Sequence, residues 1–189
     1  RHEVKVSLRQ DLGAYAQFDM FSRENVYDDV DIRSLERLFE VMADFRPEAV
    51  INAVGIVKQR ADSKESIPSL EINALLPHRL TVLCKGIGAR LIHLSTDCIF
   101  SGKKGSYLES DPSDAEDLYG RSKYLGEVHE ANSLTLRTSI IGRELSRHTS
   151  LLDWFLAQSE VVKGFTNAIY TGFTTLEMSS IIEKMLLEY

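Results

Sequence analysis

Apolar and polar positions along the chain switch repeatedly between a period of two and a period near that of an α-helix, as strands alternating with helices do. Glu3-Val-Lys-Val-Ser7 alternates and is β-branched, which predicts a short strand, with a second over residues 26–30. Ile32, Leu35, Leu38, Phe39 and Met42 recur at helical spacing. They predict a helix over residues 31–45, capped by Asp31 or Ser34 and ended by Arg46-Pro47. Residues 49–54 form a compact apolar run suited to a strand buried on both faces. A polar, loop-like stretch follows over residues 55–67.

A long helix is expected over residues 68–84, with Pro68 in its first turn, a kink or break at Pro77, and Gly86 and Gly88 closing it. The next buried strand, residues 90–94, delivers Ser95 and Thr96 at its C-terminal end. After a polar stretch over residues 101–117, a helix is expected from Tyr119 to about Ala131, then a strand over 134–137 and a turn over 138–142. The alternation weakens beyond that point. Residues 151–158 read as helical, 160–174 as irregular or edge-like, and 175–187 as an amphipathic helix, with a boundary near 143–150. Strand-helix alternation of this kind favours an α/β fold with a parallel sheet and helices on its faces.

Composition narrows the function classes. A chain of 189 residues with 43% hydrophobic and 26% charged residues is ordinary for a soluble globular protein. Its net charge of −6 argues against nucleic acid or an anionic membrane as the main partner. No apolar stretch approaches the roughly 20 residues of a membrane span. The start, Arg1-His-Glu-Val-Lys, is not a signal peptide. Cys84 and Cys98 lack metal spacing and read as reduced thiols of a cytoplasmic protein. The five histidines are scattered, so no metal site is expected. The chain begins abruptly within a strand pattern and stops within a helical one, so each end reads as the edge of a fragment.

Candidate chemistry concentrates at strand ends, where open α/β sheets bind their ligands. Tyr119 and Lys123 are four apart on a predicted helix and so share a face. An ammonium beside a phenol favours the ionised phenol and makes it a usable proton donor near neutral pH. Alone, the spacing is equally that of a solvated helix face with a tyrosine packed on a lysine stem. Its position one loop after a strand ending in two hydroxyls favours catalysis, although Ser95-Thr96-Asp97 also suits a simple turn. Asp97 reads as a turn or supporting residue. Asn52-Ala-Val-Gly55 allows close approach of a flat or phosphorylated ligand, or is an ordinary strand exit. Asn73 is either a surface group or an inward one holding a water. Arg9 either meets a ribose phosphate or is solvated. Lys58, Arg60 and Arg143 are candidates for substrate phosphates, with surface solvation the competing role.

Several ordered segments then carry a resemblance: Arg46-Pro-Glu-Ala-Val-Ile-Asn-Ala-Val-Gly55, Glu71-Ile-Asn-Ala-Leu, Gly88-Ala-Arg-Leu-Ile-His-Leu-Ser-Thr-Asp-Cys-Ile-Phe-Ser-Gly102, Lys104-Gly-Ser-Tyr-Leu-Glu109, Leu118-Tyr-Gly-Arg-Ser-Lys-Tyr-Leu-Gly-Glu127 and Leu136-Arg-Thr-Ser-Ile-Ile-Gly142. Together they resemble the extended short-chain dehydrogenase/reductase superfamily, and within it the dTDP-4-dehydrorhamnose reductase type of nucleotide-sugar reductase. The resemblance implies a Rossmann-like doubly wound parallel sheet over residues 1–145 and the beginning of a substrate-binding lobe over 146–189. It implies Thr96 as catalytic hydroxyl, with Ser95 as the alternative, Tyr119 as proton donor, and Lys123 as the residue that lowers its pKa and holds the nicotinamide ribose. Asp31 and Ile32 resemble the pair at the adenine, and Ala53, Val54 and Gly55 the loop lining the dinucleotide. Arg9, with Asp11 the one acidic residue near it, leans towards NADP(H) over NAD(H).

The implied reaction is reduction of a 4-keto nucleotide sugar in surface polysaccharide biosynthesis, by a cytoplasmic enzyme for which a homodimer is an open assembly. An epimerase or dehydratase of the same fold is the near alternative, and a non-catalytic regulatory or binding relative the distant one. The family's first strand and its G-x-x-G-x-x-G turn are expected before Glu3 and are not in the sequence, nor is part of the substrate lobe. That turn supplies the pyrophosphate site at a helix N-terminus. Residues 1–189 alone are therefore expected to bind the dinucleotide poorly and to lack turnover. Calorimetric titration with NADPH tests this, and micromolar affinity overturns it.

Overall fold

A computed structural model describes residues 2–57, 65–146 and 148–188. The alternating N-terminal segment forms a strand only over Val6–Ser7 (β1), paired in parallel with Val26–Tyr27 (β2). The strand is shorter than its pattern because Val4 and Val6 stay exposed, whereas Leu8 just beyond is buried. Helix α1 spans Leu35–Phe45. Ser34 caps it, its hydroxyl accepting from the Arg37 N–H at 3.2 Å. Asp31 is the rejected cap, because Arg33 holds its carboxylate. Arg46 ends the helix in the left-handed region at φ 51°, just before Pro47.

Strand β3 is Ala49–Asn52. A continuous helical path then runs through α2 (Ser66–Ser69), a π-helical stretch over Leu70–Leu75, and α3 (Leu76–Ile87). Pro77 does not break this path. It lacks the N–H that would pair one turn back, and the preceding residues widen to the i→i+5 pattern. Gly88, at φ 74°, closes α3 by donating to the Cys84 and Lys85 carbonyls.

Strand β4 (Arg90–Leu94) is central, with β3 on one side and β5 (Ser133–Leu136) on the other, all parallel. Val50 lies beside Leu91, and Ile92 beside Leu134. Leu91 and His93 are fully buried. Strand β3 departs from the expectation of burial on both faces. Val50 packs against the core that α3 contributes to, while Ile51, on the opposite face, is 44% exposed.

The core joins Val30 beyond β2, Leu38 and Met42 of α1, Leu76, Leu80 and Cys84 of α3, Leu91 of β4, and Val128. Burying each such side chain contributes about 1.5–3 kcal/mol. One contiguous cluster therefore ties the β1–β2 pair to the three-stranded sheet, although no ladder joins the two among the described residues.

Helix α4 spans Leu118–Leu125 and is shorter than the residues 119–131 expected. The chain leaves it at Gly126 because that residue lies against the Asn73 backbone. A Cβ at Gly126 would fall 2.0 Å from the Asn73 carbonyl oxygen. That carbonyl lies four residues before Pro77, whose missing N–H cannot pair with it. Beyond β5, Ile140–Ile141 (β6) lies within the expected turn and pairs in parallel with Phe173–Thr174 (β7). Helices α5 (Leu151–Leu156) and α6 (Thr175–Glu188) complete the order. Arg90 donates to the Leu186 carbonyl and so ties α6 to β4. Among the described residues no helix is long and apolar enough to cross a membrane.

Gly126→Ala is expected to lose about 2–3 kcal/mol, since the methyl meets backbone rather than a yielding side chain. Urea denaturation checks this, and an unchanged midpoint would mean that the two segments part freely.

Candidate active site

The C-terminal ends of β3, β4 and β5 open on a cavity of about 330 Å³. Gly55, Ile56, Thr96, Tyr119, Lys123 and Thr138 line it. Each arrives by a local device. The Ser95 N–H extends the β4–β5 ladder by donating to the Leu136 carbonyl at 2.8 Å. Thr96 then caps a single 3₁₀ turn, Asp97–Ile99, its hydroxyl oxygen accepting from the Cys98 N–H at 3.2 Å. Asp97 serves as the supporting residue its position suggested. Its carboxylate accepts from the Thr96 hydroxyl at 3.3 Å and from Ser139 at 3.0 Å, drawing the end of β4 to the segment after β5.

Asp117 caps α4 by accepting from the Gly120 N–H at 2.8 Å, which places Tyr119 in the first turn. Gly120 permits this approach, because a Cβ there would lie 2.3 Å from the Cys98 carbonyl oxygen. Tyr119 is thereby brought to the same cavity wall as Thr96. Burial raises the Tyr119 pKa, and the nearby Thr96 hydroxyl opposes the rise.

Lys123 is 4% exposed and donates from Nζ to the Leu94 carbonyl at 2.6 Å. Burial lowers its pKa to about 8, and Glu127 opposes the fall. The expected influence of the ammonium on the phenol is not what the structure holds. The free carbonyl at the end of β4 takes the ammonium, and desolvation dominates the phenol, which keeps its proton. A protonated phenol is still the form that can give a proton away.

The loop after β3 is held by two amide side chains. Asn52 Oδ1 accepts from the Val54 N–H at 3.1 Å, while its amide nitrogen lies 3.1 Å from His93 Nδ1. Since that amide can only donate, Nδ1 accepts and the ring proton sits on Nε2. His93 Nε2 finds no hydrogen-bond partner among the described residues. Burial pushes the His93 pKa down to about 3, so the ring stays neutral. Asn73 is buried and points inward, as one of its two readings had it, and it binds protein groups directly. It accepts from the Ile56 N–H at 2.8 Å and donates to the Ile56 carbonyl at 3.0 Å and to the Ser122 hydroxyl at 3.2 Å. One side chain thus fixes the loop against α4.

Thr96, Tyr119, Lys123, Ala53, Val54 and Gly55 all come to this cavity. The Ser95 hydroxyl is committed elsewhere, donating to Glu127 Oε1 at 2.9 Å. Arg9, Asp31 and Ile32 are not among the cavity's lining residues. Asp31 is paired with Arg33 at 2.8 Å, and that guanidinium holds its carboxyl at about 2, with a smaller contribution from Arg9. Ile32 packs against the core. Arg143 is exposed, and Lys58 and Arg60 lie outside the described residues.

Sequence reasoning missed His93, Ser122, Glu127 and Arg137. The one available signal was a charged or polar side chain inside a segment otherwise patterned for burial. His93 stands opposite Asn52 only once the β3–β4 register is known.

A family model described as the RmlD substrate binding domain matches residues 6–148. A dTDP-4-dehydrorhamnose reductase of Burkholderia thailandensis is 32% identical over 117 residues, covering 59% of this chain and 39% of that protein. The spore coat polysaccharide biosynthesis protein SpsK of Bacillus subtilis is 34% identical over 114 residues, covering 60% of this chain and 38% of that protein. The chain therefore spans about two-fifths of the length of these relatives. The crystal structure of a Bacillus anthracis dTDP-4-dehydrorhamnose reductase in complex with NADP superposes with a TM-score of 0.74. It covers 99% of this chain and 72% of that one at 22% identity, a likeness of fold.

The buried lysine has a measurable consequence for stability. Its folded pKa, about 8, lies below the ordinary 10.5, so the folded state carries the cost of a buried charge below about 8. Between about 8 and 10.5 the unfolded chain binds more protons than the folded one, and stability rises with pH. The rise is on the order of 3 kcal/mol. Urea denaturation across this range should show it in the wild type and not in Lys123→Met. Equal slopes for the two proteins would place the lysine in water.

Proposed function

The chain belongs to the RmlD substrate binding domain family, and we propose that the complete gene product reduces a 4-keto sugar carried on a nucleotide diphosphate. The observation that carries this reading is the meeting of the Tyr119 phenol, the Thr96 hydroxyl and the Lys123 ammonium in one cavity at three strand ends. A nicotinamide dinucleotide would supply the hydride to the carbonyl carbon. Tyr119 donates its proton to the carbonyl oxygen as negative charge develops there, and Thr96 orients that oxygen by hydrogen bonding. The residues present fit such a cofactor. Lys123 would hold the hydroxyls of its ribose. Gly55 leaves open the space beside Lys123, since a Cβ there would stand 3.9 Å from Nζ.

Ala53 and Val54 continue that wall. Residues 1–145 form the dinucleotide side in this reading, and residues 146–189 begin the substrate lobe. Arg9 and Arg33 outnumber Asp31 near the adenine position assigned by resemblance, which favours NADP(H) over NAD(H). The named activities of the relatives support a role in polysaccharide synthesis.

The test is consumption of NADPH by the complete gene product supplied with a dTDP-linked 4-keto sugar. Tyr119→Phe should lower kcat by about 10²–10⁴-fold while dinucleotide binding persists. NADH should serve less well than NADPH. Unimpaired turnover in the variant sinks the assignment, and a rearranged sugar without net NADPH consumption points to an epimerase or dehydratase.

A further inference from the structure

Behind the reactive groups lies a second polar cluster. Glu127 follows Lys123 by four positions, just past the end of α4, and its carboxylate is 1% exposed. Oε1 accepts from the Ser95 hydroxyl at 2.9 Å and from Arg137 Nε at 3.0 Å, and Oε2 accepts from Arg137 Nη2 at 2.8 Å. Arg137, one residue past β5, uses Nη1 to donate to the Glu109 carbonyl at 2.8 Å. Its guanidinium also covers the Phe100 ring, itself stacked on Tyr107. One carboxylate therefore links the residue before Thr96, the helix carrying Lys123, and the loop that follows the Thr96 turn.

We infer that Glu127 is a positioning residue for the proposed reduction, anchoring the Ser95–Thr96 strand end and setting a buried carboxylate four positions beyond Lys123. This rests on the reading of Thr96 and Lys123 given above. A buried anion fully paired by a fork of donors cannot rotate, so Ser95 is held at both its backbone and its hydroxyl. Thr96 has no freedom to swing from the cavity, and Ser95 cannot take its place. Between sites of 1% and 4% exposure screening by water is weak, so the carboxylate four positions on acts on the ammonium even though Arg137 pairs it.

Among the described residues, the other titratable or charged groups around Lys123 are Tyr119 and Cys98 on the cavity wall, His93 in β4, and Arg137 beyond Glu127. Tyr119 keeps its proton and His93 is neutral, so Glu127 is the anion that opposes the loss of the lysine proton. Removing its charge also leaves the Arg137 cation unopposed, which acts on Lys123 in the same direction.

Glu127→Gln in the complete gene product keeps the shape and deletes the charge. It should lower kcat about tenfold at nearly unchanged KM and move the alkaline limb of the kcat profile about one pH unit down. Glu127→Asp, which keeps the charge, should restore the position of the limb. The Lys123 titration followed by NMR of labelled lysine gives the same answer without turnover: downward in Gln, close to wild type in Asp. Lys123 titrating identically in wild type and Gln overturns the inference, whatever the enzyme's substrate proves to be. Should Gln not fold, Ser95→Ala decides: it keeps both charges and should lower kcat several-fold without moving the limb, whereas wild-type kcat overturns the anchoring role.

Discussion

A lysine ammonium taken out of water is among the more costly things a small domain can hold, and much of this structure is arranged around one. Lys123 sits at the junction of α4 with the end of β4, where a parallel sheet leaves its last carbonyls without ladder partners. The Leu94 carbonyl takes the ammonium, which satisfies one donor and fixes the side chain. The rest of the compensation comes from Glu127, itself held by Arg137 and Ser95. The Glu127–Arg137 ion pair adds little net stability after desolvation, but breaking it is expensive. That asymmetry suits a site whose geometry must not drift.

The strands that present the site are short, and side-chain amides do what longer ladders would otherwise do. Asn52 bridges from β3 to His93 of β4 and turns the chain into the cavity loop. Asn73 holds both backbone groups of Ile56 and reaches Ser122 on α4. The π-helical stretch that carries Asn73 ends just before Pro77, and Gly126 lies against the same backbone. A proline, a glycine and an asparagine, each ordinary alone, thus combine to fix the distance between the loop and the lysine helix.

Fold and site were legible in the sequence to different degrees. The order of strands and helices, the helix from Leu35 and the buried strand at Arg90–Leu94 followed from periodicity, because one face of each is driven from water. Element ends were less legible. Helix α4 stops at Gly126 through contact with Asn73, and β1 contracts because nothing buries Val4 and Val6. Ile51 lies in an apolar run yet is exposed, since burial depends on what covers each face and not on the run itself.

Already legible along the chain were the class of the fold, the convergence of Thr96, Tyr119 and Lys123 at strand ends, and the family to which the chain belongs. These depend on local pattern and on ordered motifs, both written along the chain. Packing settled where the ammonium points, which of two adjacent hydroxyls is tied to Glu127, and that Asn73, His93, Glu127 and Arg137 stand behind the site. Those outcomes turn on desolvation and on hydrogen bonds between residues far apart in sequence. Neither quantity exists until strand register and helix packing have brought the partners together.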